Sequence, residues 1–230
     1  ADEYINHVER FGYWKDSGIR LDGLAVKALT RLFLTTWYIN RGEISDFDQY
    51  HLENHSIPSD GLTIPYGSGP KPIFRAQVGK KEYQSLINQA TEPVYITTIK
   101  NAAMRGVDVR IITPYIPDKK FIQLVTRGAY PDLLSAGVRI YEYSPGFIHS
   151  KQMLVDEDFA VVGTINLDYR SLVHHYENAV LLYKTPSIRE IARDFRNIFA
   201  DSQEVYPHSI KTSWYQKLVK EIAQLFAPIL

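Results

Sequence analysis

The stretch from Phe147 to Asn166, FIHSKQMLVDEDFAVVGTIN, constrains the fold of this 230-residue chain more than any other. His149 and Lys151 are two residues apart, and on a β-strand this spacing places both side chains on one face. An acidic turn that begins at Asp156 separates this segment from a second apolar arm at residues 159–162. The pattern therefore predicts a β-hairpin that carries a histidine and a lysine side by side.

The residue types in this stretch indicate chemistry on a phosphate group. A neutral imidazole can attack phosphorus or transfer a proton, and lysine and asparagine side chains can stabilise charge on the non-bridging oxygens. A bare His-x-Lys pair is most often an ordinary surface feature, because short motif matches arise by chance. The longer pattern H-x-K-x4-D-x6-G-T-x-N fixes six positions, and it predicts a phosphate site.

The composition narrows the function only a little. The 26 basic and 26 acidic residues give a formal net charge of zero, so overall charge predicts neither nucleic-acid binding nor attraction to an anionic membrane. The absence of cysteine excludes a disulfide framework and a thiolate metal site. No apolar run reaches the ~18 residues that span a bilayer, and the polar start, ADEYINHVER, is not typical of a signal peptide.

Strand and helix patterns alternate along the chain, which predicts an α/β fold with helices on both faces of a mixed sheet. The predicted strands lie at residues 18–22, 94–99, 107–113, 138–143 and 178–183. The predicted helices lie at about residues 24–39, 77–90, 119–135 and 187–202. The near-continuous apolar segments VRIITP and AVLLYK suit buried central strands.

The segments HSKQMLVD and GTINLDYRS resemble the second HKD motif of the phospholipase D superfamily. The flanking segments narrow the resemblance to the bacterial cardiolipin synthases; these segments are RGVDVRIITPYIPDKK and AGVRIYEYSPGF. The likeness extends upstream to ADEYIN and FGYWKDSGIRLDGLAV and downstream to QLFAPIL, so it covers nearly the whole chain. It implies a phospholipase D-like layered α-β-α sandwich with a mixed central sheet.

The resemblance also implies an activity. Such an enzyme transfers a phosphatidyl group between two phosphatidylglycerol molecules, giving cardiolipin and glycerol through a phosphohistidine. The implied partners are phosphatidylglycerol, cardiolipin and the membrane surface, with the full-length protein at the cell membrane and no nucleic acid bound. The chemistry uses no cofactor and no metal. The carboxylates of residues 156–158 also fail as a metal site, because three adjacent side chains on a turn cannot all converge.

The site residues follow from the matched motifs. The implied catalytic residues are His149, Lys151 and Asp156, and the implied phosphate-binding residues are Thr164 and Asn166. Glu177 matches an acidic residue that orients an active-site imidazole, and Asp16 is its counterpart near the start of the chain. The second-motif histidine is usually the acid/base, although the residues alone do not separate this role from that of the nucleophile.

Two of these residues have alternative readings. Lys151 is also compatible with an ordinary strand lysine whose ammonium reaches solvent. Asp156 can instead order its turn through hydrogen bonds of its own side chain.

A weak internal repeat indicates that one structural unit occurs twice in the chain. After Asn166 come LDY, Glu177, a strand and a helix, and at the start of the chain come ADEY, Asp16, a strand and a helix. The second copy follows the His-Lys-Asp hairpin, and the first begins where such a hairpin would just have ended. Together with the resemblance, this repeat predicts three segments. Residues 1–42 are the tail of a first phospholipase D-like half whose HKD motif is missing, and residues 43–76 are a linker or loop. Residues 77–230 are the second phospholipase D-like domain, with an amphipathic C-terminal helix.

One place departs from the family pattern. A parallel β-α-β crossover needs at least ~10–12 residues, but only residues 99–108 separate the predicted strands VYITT and VRIIT. The family has a longer active-site loop there, so any substrate contact from that loop is in doubt.

With one His-Lys-Asp set, the chain carries half of a two-histidine mechanism. We therefore expect a fragment that needs the missing HKD half or a second copy of the chain. The alternatives are a phospholipase D-type phosphodiesterase, in which water replaces the lipid alcohol, and a catalytically silent lipid-binding fragment.

Overall fold

The structure is a computed structural model that describes residues 2–42, 46, 49–50, 57–70, 78–87 and 95–210. It divides into two compact units, each built from separate stretches of the chain. Unit 1 comprises Ala1–Asp16, Tyr83–Ser150 and Arg193–Leu230, and unit 2 comprises Ser17–Glu82 and Lys151–Ala192.

Helices and strands alternate through most of the described residues. The α-helices are α1 (Ala25–Arg41), α2 (Val78–Ile87), α3 (Tyr95–Met104), α4 (Lys120–Gly128), α5 (Tyr130–Ser135), α6 (Tyr169–Val173) and α7 (Ser187–Ala200). The strands are β1 (Tyr13–Lys15), β2 (Leu62–Ser68), β3 (Arg110–Pro114), β4 (Arg139–Tyr143), β5 (Gly146–Ile148), β6 (Gln152–Val155), β7 (Phe159–Gly163), β8 (Glu177–Tyr183) and β9 (Ser202–Val205). Short 3₁₀ helices lie at Asp2–Ile5 and Pro207–Ser209.

Unit 1 contains a mixed sheet with the strand order β3-β4-β9. Strands β3 and β4 are parallel, whereas β9 is antiparallel to β4. The core beside this sheet is apolar and consists of Ile99, Tyr130, Leu133, Val138 and Ile140. A separate pair of short parallel strands, β1 and β5, carries the segment that leads to His149.

Unit 2 contains an antiparallel sheet with the order β2-β8-β7-β6. Its two central strands, β7 and β8, bury side chains on both faces, as the continuous apolar segments predict. Helix α1 packs beside β2, where Gly67 lies directly under the Leu32 side chain. A Cβ atom at Gly67 would stand 2.5 Å from that leucine, so the absence of a side chain allows the close approach.

The structure confirms the α/β class and the mixed sheet, and the described strands are distributed over three sheets. It also confirms most of the predicted elements to within a few residues. These are the helices α1, α2, α4, α5 and α7, the strands β3, β4 and β8, and the hairpin β6–β7.

Two predicted strands are wrong. Residues 18–22 have no regular structure, and the strand in this region is β1, which lies a few residues earlier. Residues 95–99 belong to helix α3 instead of a strand. The β-branched run in YITTI favours a strand locally, but too few residues remain before β3 for a crossover helix, and the chain uses this segment as the helix itself.

Strand β2 lies within residues 43–76, for which the sequence predicts a linker or loop. Pro65 and Gly67 suggest a break, but β2 is the edge strand of its sheet, and an edge strand tolerates proline. All seven of its residues pair with β8. The predicted C-terminal amphipathic helix, at residues 211–230, lies outside the described residues, and the division into segments 1–42, 43–76 and 77–230 stays a prediction.

Candidate active site

His149 and Lys151 do not lie on a strand, which corrects the sequence prediction. Strand β5 ends at Ile148 and β6 begins at Gln152, so both residues occupy an irregular connection of three residues. Unit 1 ends this stretch at Ser150, and Lys151 begins a stretch of unit 2. The site residues therefore fall into two sets: His149 belongs to unit 1, and those from Lys151 to Glu177 belong to unit 2.

In unit 1, the His149 imidazole lies against a carboxylate. Its Nδ1 atom is 2.9 Å from Oδ2 of Asp16, and both side chains are about half exposed. An ionised carboxylate only accepts hydrogen bonds, so we assign the proton of the neutral ring to Nδ1. In this tautomer the lone pair of the ring is on Nε2, the nitrogen that can react with phosphorus or take up a proton.

The backbone brings these two residues together across 133 positions of sequence. Strand β1 pairs in parallel with β5, and Lys15 lies opposite Ile148. The His149 N–H continues this pairing by donating to the Lys15 carbonyl at 2.8 Å. Asp16 directly follows Lys15, and the strand register therefore sets the carboxylate beside the ring.

Aromatic side chains surround the same imidazole. The ring centroid of Trp14 lies 5.1 Å from that of His149, and the ring of Phe147 stacks on it at 6.1 Å. Trp14 is almost fully buried. Sequence reasoning singled out Asp16 only as a counterpart of Glu177 and missed Trp14, although the cluster of aromatic residues in FGYWKD was a usable signal.

In unit 2, Lys151 enters the hairpin through its backbone. Its carbonyl accepts a hydrogen bond from the N–H of Gly163 at 3.2 Å, just before the ladder pair of Gln152 and Val162. The side chain is partly buried. The hairpin thus fixes the backbone from which the ammonium extends.

Asp156 has a clear structural task in the hairpin turn. The N–H of Asp158 donates to the carbonyl of Val155 at 3.1 Å, which closes a β-turn. Asp156 and Glu157, the central residues, both have positive φ angles of 52° and 53°. This is the arrangement of a type I′ turn, which matches the twist of hairpin strands and tolerates aspartate in the left-handed region. The backbone of the turn thus suits an aspartate at position 156, and the side-chain hydrogen bonds expected from the sequence stay a prediction.

Thr164 and Glu177 are joined directly. The Thr164 hydroxyl donates to the Glu177 carboxylate, and the backbone N–H of Asn178 donates to the Thr164 hydroxyl oxygen at 3.1 Å. The Glu177 side chain is only 7% exposed, and its other oxygen lies 3.5 Å from Nδ1 of His175. The Glu177 carboxylate therefore lies beside the imidazole of His175, whereas the Asp16 carboxylate lies beside the imidazole of His149.

Asn166 lies beside the start of a short helix. Its side-chain amide donates to the Ser171 hydroxyl at 3.2 Å, and Ser171 is buried. The Ser171 N–H in turn donates to Asp168 at 2.8 Å, as in a helix N-cap. These contacts order the segment that follows Gly163 and hold the Asn166 amide at the protein surface.

Unit 1 also contains a partly buried polar network beside its mixed sheet. Arg127 binds the Glu142 carboxylate through two hydrogen bonds of 2.8 Å, and the Tyr130 hydroxyl donates to the same carboxylate at 3.0 Å. Thr113 lies 2.6 Å from the Tyr130 hydroxyl oxygen. Burial raises the pKa of Tyr130 well above its ordinary value, and the neighbouring Glu142 carboxylate raises it further.

Two general properties of the described residues bear on the site. Among them, no three His, Cys, Asp or Glu side chains are grouped closely enough to hold a metal ion. No helix within the described part of the chain combines the length and the apolar character needed to cross a membrane.

Residues 77–199, more than half of the chain, match the family model for the cardiolipin synthase, PLD-like domain. The chain belongs to this family. The cardiolipin synthase match begins at the predicted start of the second phospholipase D-like domain, and it includes the whole hairpin with His149 and Lys151.

Two curated proteins, one of them named a cardiolipin synthase, align with the whole chain. Cardiolipin synthase 2 of Bacillus cereus is 34% identical over 246 residues, covering 100% of this chain and 47% of its own length. An uncharacterized protein of Streptococcus mutans is 42% identical over 244 residues, covering 100% of this chain and 52% of its own length. The chain thus spans about half the length of the curated relatives that it matches.

A solved structure shows the same fold. Phosphatidylserine synthase of Haemophilus influenzae superposes with a TM-score of 0.54 at 16% sequence identity. The match covers 84% of this chain and 50% of that protein. At this identity the likeness supports the phospholipase D-like fold alone.

Proposed function

We propose that this chain provides half of the active site of a cardiolipin synthase, with His149 as its acid/base residue. The observation that carries the proposal is the 2.9 Å contact between the His149 imidazole and Asp16, in a chain of the cardiolipin synthase family. A carboxylate on Nδ1 stabilises the imidazolium and keeps Nε2 as the nitrogen that exchanges the proton, as a residue that gives and takes protons requires.

The reaction proceeds in two displacements at one phosphorus atom. A second histidine attacks the phosphorus of one phosphatidylglycerol, forming a P–N bond while the P–O bond to the head-group glycerol breaks. Protonated His149 gives its Nε2 proton to the departing glycerol oxygen. His149 then removes the proton from a hydroxyl group of a second phosphatidylglycerol, whose oxygen attacks the same phosphorus, and the P–N bond breaks to release cardiolipin.

The other matched residues act on the phosphate and on the geometry. Lys151 and Asn166 stabilise charge on the non-bridging oxygens, as preorganised donors do in acyl and phosphoryl transfer. Thr164 adds a further hydrogen-bond donor for the phosphate, and Glu177 orients an active-site imidazole. Asp156 acts through the hairpin turn, which sets the backbone on which Lys151 is carried.

The second histidine is the reason for proposing half of a site. The chain contains one H-x-K-x4-D sequence, and its curated relatives are about twice as long. We propose that the other histidine comes from a further phospholipase D-like half or from a second copy of this chain. The lipid substrates place the assembled enzyme at a membrane surface.

A chimera tests the proposal. The 230 residues replace the aligned part of Bacillus cereus cardiolipin synthase 2, and the purified chimera receives vesicles of labelled phosphatidylglycerol. We expect labelled cardiolipin from the chimera and little or none from the 230-residue chain at a dilution at which it is monomeric. His149→Ala in the chimera should lower the rate by at least ~100-fold, which is within the range that one acid/base residue contributes.

Each other product has a definite meaning in this experiment. Phosphatidic acid without cardiolipin would make the protein a hydrolase, and no product with a folded chimera would favour a silent lipid-binding fragment. Cardiolipin from the dilute monomeric chain would contradict the need for a second histidine. His208→Ala, at an exposed histidine, is the matched control and should leave the rate unchanged.

A further inference from the structure

The contact between Asp16 and His149 depends on a strand that has little stability of its own. Strand β1 is three residues long, and β1 and β5 form a sheet of only two strands. Parallel pairs are slightly less stable per residue than antiparallel ones, and an isolated two-stranded sheet is marginal in water. Side-chain anchors must therefore hold β1 in place.

One face of β1 is anchored by Trp14. Its ring packs against Phe147 at 4.6 Å between centroids and against Tyr4 at 4.7 Å. The Asn6 side chain binds the Trp14 backbone twice: its oxygen accepts the Trp14 N–H at 2.6 Å, and its amide donates to the Trp14 carbonyl at 3.1 Å. These contacts hold strand β1 through Trp14, its buried residue.

Lys15 anchors the opposite face, because neighbouring side chains of a strand point to opposite sides. Its Nζ atom is 2.8 Å and 3.0 Å from the two oxygens of Asp194, on helix α7. The two side chains are 23% and 30% exposed, so the pair is partly shielded from solvent. This ion pair, between residues 179 positions apart in the sequence, thus joins β1 to a helix of 14 residues.

The same residue forms the final step to the imidazole. The Lys15 carbonyl accepts the His149 N–H at 2.8 Å, and the next residue supplies the carboxylate on Nδ1. We propose that the Lys15–Asp194 ion pair is a positioning element that holds β1 in the register bringing Asp16 to His149. Its effect on catalysis rests on the proposed function, whereas its effect on the imidazole does not.

The position of Asp16 can be read from the tautomer of His149 without any assay of activity. The chain is labelled with ¹⁵N-histidine, and His149→Gln identifies the resonances of that ring. Long-range ¹H–¹⁵N spectra then show which nitrogen of the neutral ring carries the proton. We expect the Nδ1–H form in the wild type, because the Asp16 carboxylate accepts from that nitrogen.

Removing the ion pair should change this signal while the fold persists. In Lys15→Met and in Asp194→Asn, Asp16 is no longer held, and we expect a substantial shift of the population toward the Nε2–H form. Lys15→Arg keeps a cation that can bind the same carboxylate, and it should keep the wild-type tautomer. The double variant should show no more change than either single variant, because the two residues act as one unit.

The matched control is another ion pair of unit 1. Arg139 binds Glu204 through two hydrogen bonds of 2.9 Å and 3.1 Å, between strands β4 and β9. Arg139→Met should lower stability in a similar way and leave the His149 tautomer unchanged. An unchanged tautomer in folded Asp194→Asn, or an equal shift in Arg139→Met, would overturn the proposal.

The chimera adds the catalytic readout. In it, Lys15→Met should lower kcat about 10- to 100-fold and change KM by less than about twofold, since misplacing a catalytic group affects the transition state more than substrate binding. Lys15→Arg should restore most of the loss. If the wild-type chimera makes no cardiolipin, the proposed function fails, and the tautomer measurement still decides the role of the ion pair.

Discussion

Thr164 has two candidate acceptors for the single proton of its hydroxyl group. The resemblance assigns it to a phosphate oxygen, whereas the structure shows its hydroxyl donating to the nearly buried Glu177 carboxylate. A buried carboxylate that loses a donor keeps its desolvation cost. The two tasks therefore differ in what happens to stability when the hydroxyl is removed.

We predict that Thr164→Val lowers the free energy of unfolding by about 1–3 kcal/mol, the usual cost of leaving a buried polar group without its partner. Thr164→Ser retains the hydroxyl and should cost much less. Denaturant titration of both variants measures the difference. If Thr164→Val unfolds at the wild-type midpoint while the chimera loses activity, the hydroxyl serves the phosphate alone.

At the scale of elements, the short pair β1–β5 depends on a glycine. A Cβ atom at Gly146 would stand 2.0 Å from the carbonyl oxygen of Tyr13 and 2.6 Å from its nitrogen. Both are backbone atoms, so a side chain there would force the strands apart. Since Asp16 follows β1 directly, separation of the strands also removes the carboxylate from His149.

We predict that Gly146→Ala lowers the free energy of unfolding by about 1–3 kcal/mol, as overpacking of a filled site does. It should also shift the His149 tautomer in the same direction as Lys15→Met. Gly18→Ala is the control, because a Cβ there meets no atom within 4 Å, and it should be neutral or stabilise by up to ~1 kcal/mol. Wild-type behaviour of Gly146→Ala would contradict this account of the register.

The sequence predicts those elements whose local pattern and tertiary role agree. The hairpin β6–β7 was predictable, because apolar residues flank an acidic turn. Strand β2 was hidden by Pro65 and Gly67, which the edge of a sheet tolerates. Helix α3 was misread because β-branched residues favour strands locally, and only the short distance to β3 opposes that reading.

The site shows the same limit at longer range. The motif spacing singled out His149, Lys151 and the acidic turn, because those residues are close in sequence. Asp16 and His149 are separated by 133 positions, and the tie between Lys15 and Asp194 spans 179. No periodicity carries information over such distances, so only the fold reveals these pairs.

The whole molecule combines a family membership with equal numbers of basic and acidic residues. It belongs to the cardiolipin synthase family, and its formal net charge is zero. Overall charge therefore gives the chain no general attraction to an anionic lipid surface. Under the proposed function, a preference for phosphatidylglycerol has to come from local groups, such as Lys151 in the matched motif.

A second whole-molecule property is the dependence of stability on alkaline pH. Burial raises the pKa of Tyr130, Tyr141 and Tyr143, all in unit 1. In the unfolded chain these phenols ionise near pH ~10, whereas the folded protein retains their protons to higher pH. The unfolded state therefore binds fewer protons above about pH 10, and the free energy of unfolding falls as pH rises.

We predict that stability is unaffected by these tyrosines below about pH 10 and declines above it, by up to ~1.4 kcal/mol per pH unit for each tyrosine still protonated in the fold. Tyr130→Phe should reduce that slope, because phenylalanine has no proton to lose. The variant should also be less stable at neutral pH, since Glu142 loses the Tyr130 donor. Urea titrations from pH 8 to 11 separate the two effects, with Tyr38→Phe, at an exposed position, as the control. An unchanged slope in Tyr130→Phe would show that the Tyr130 phenol does not contribute to the alkaline loss of stability.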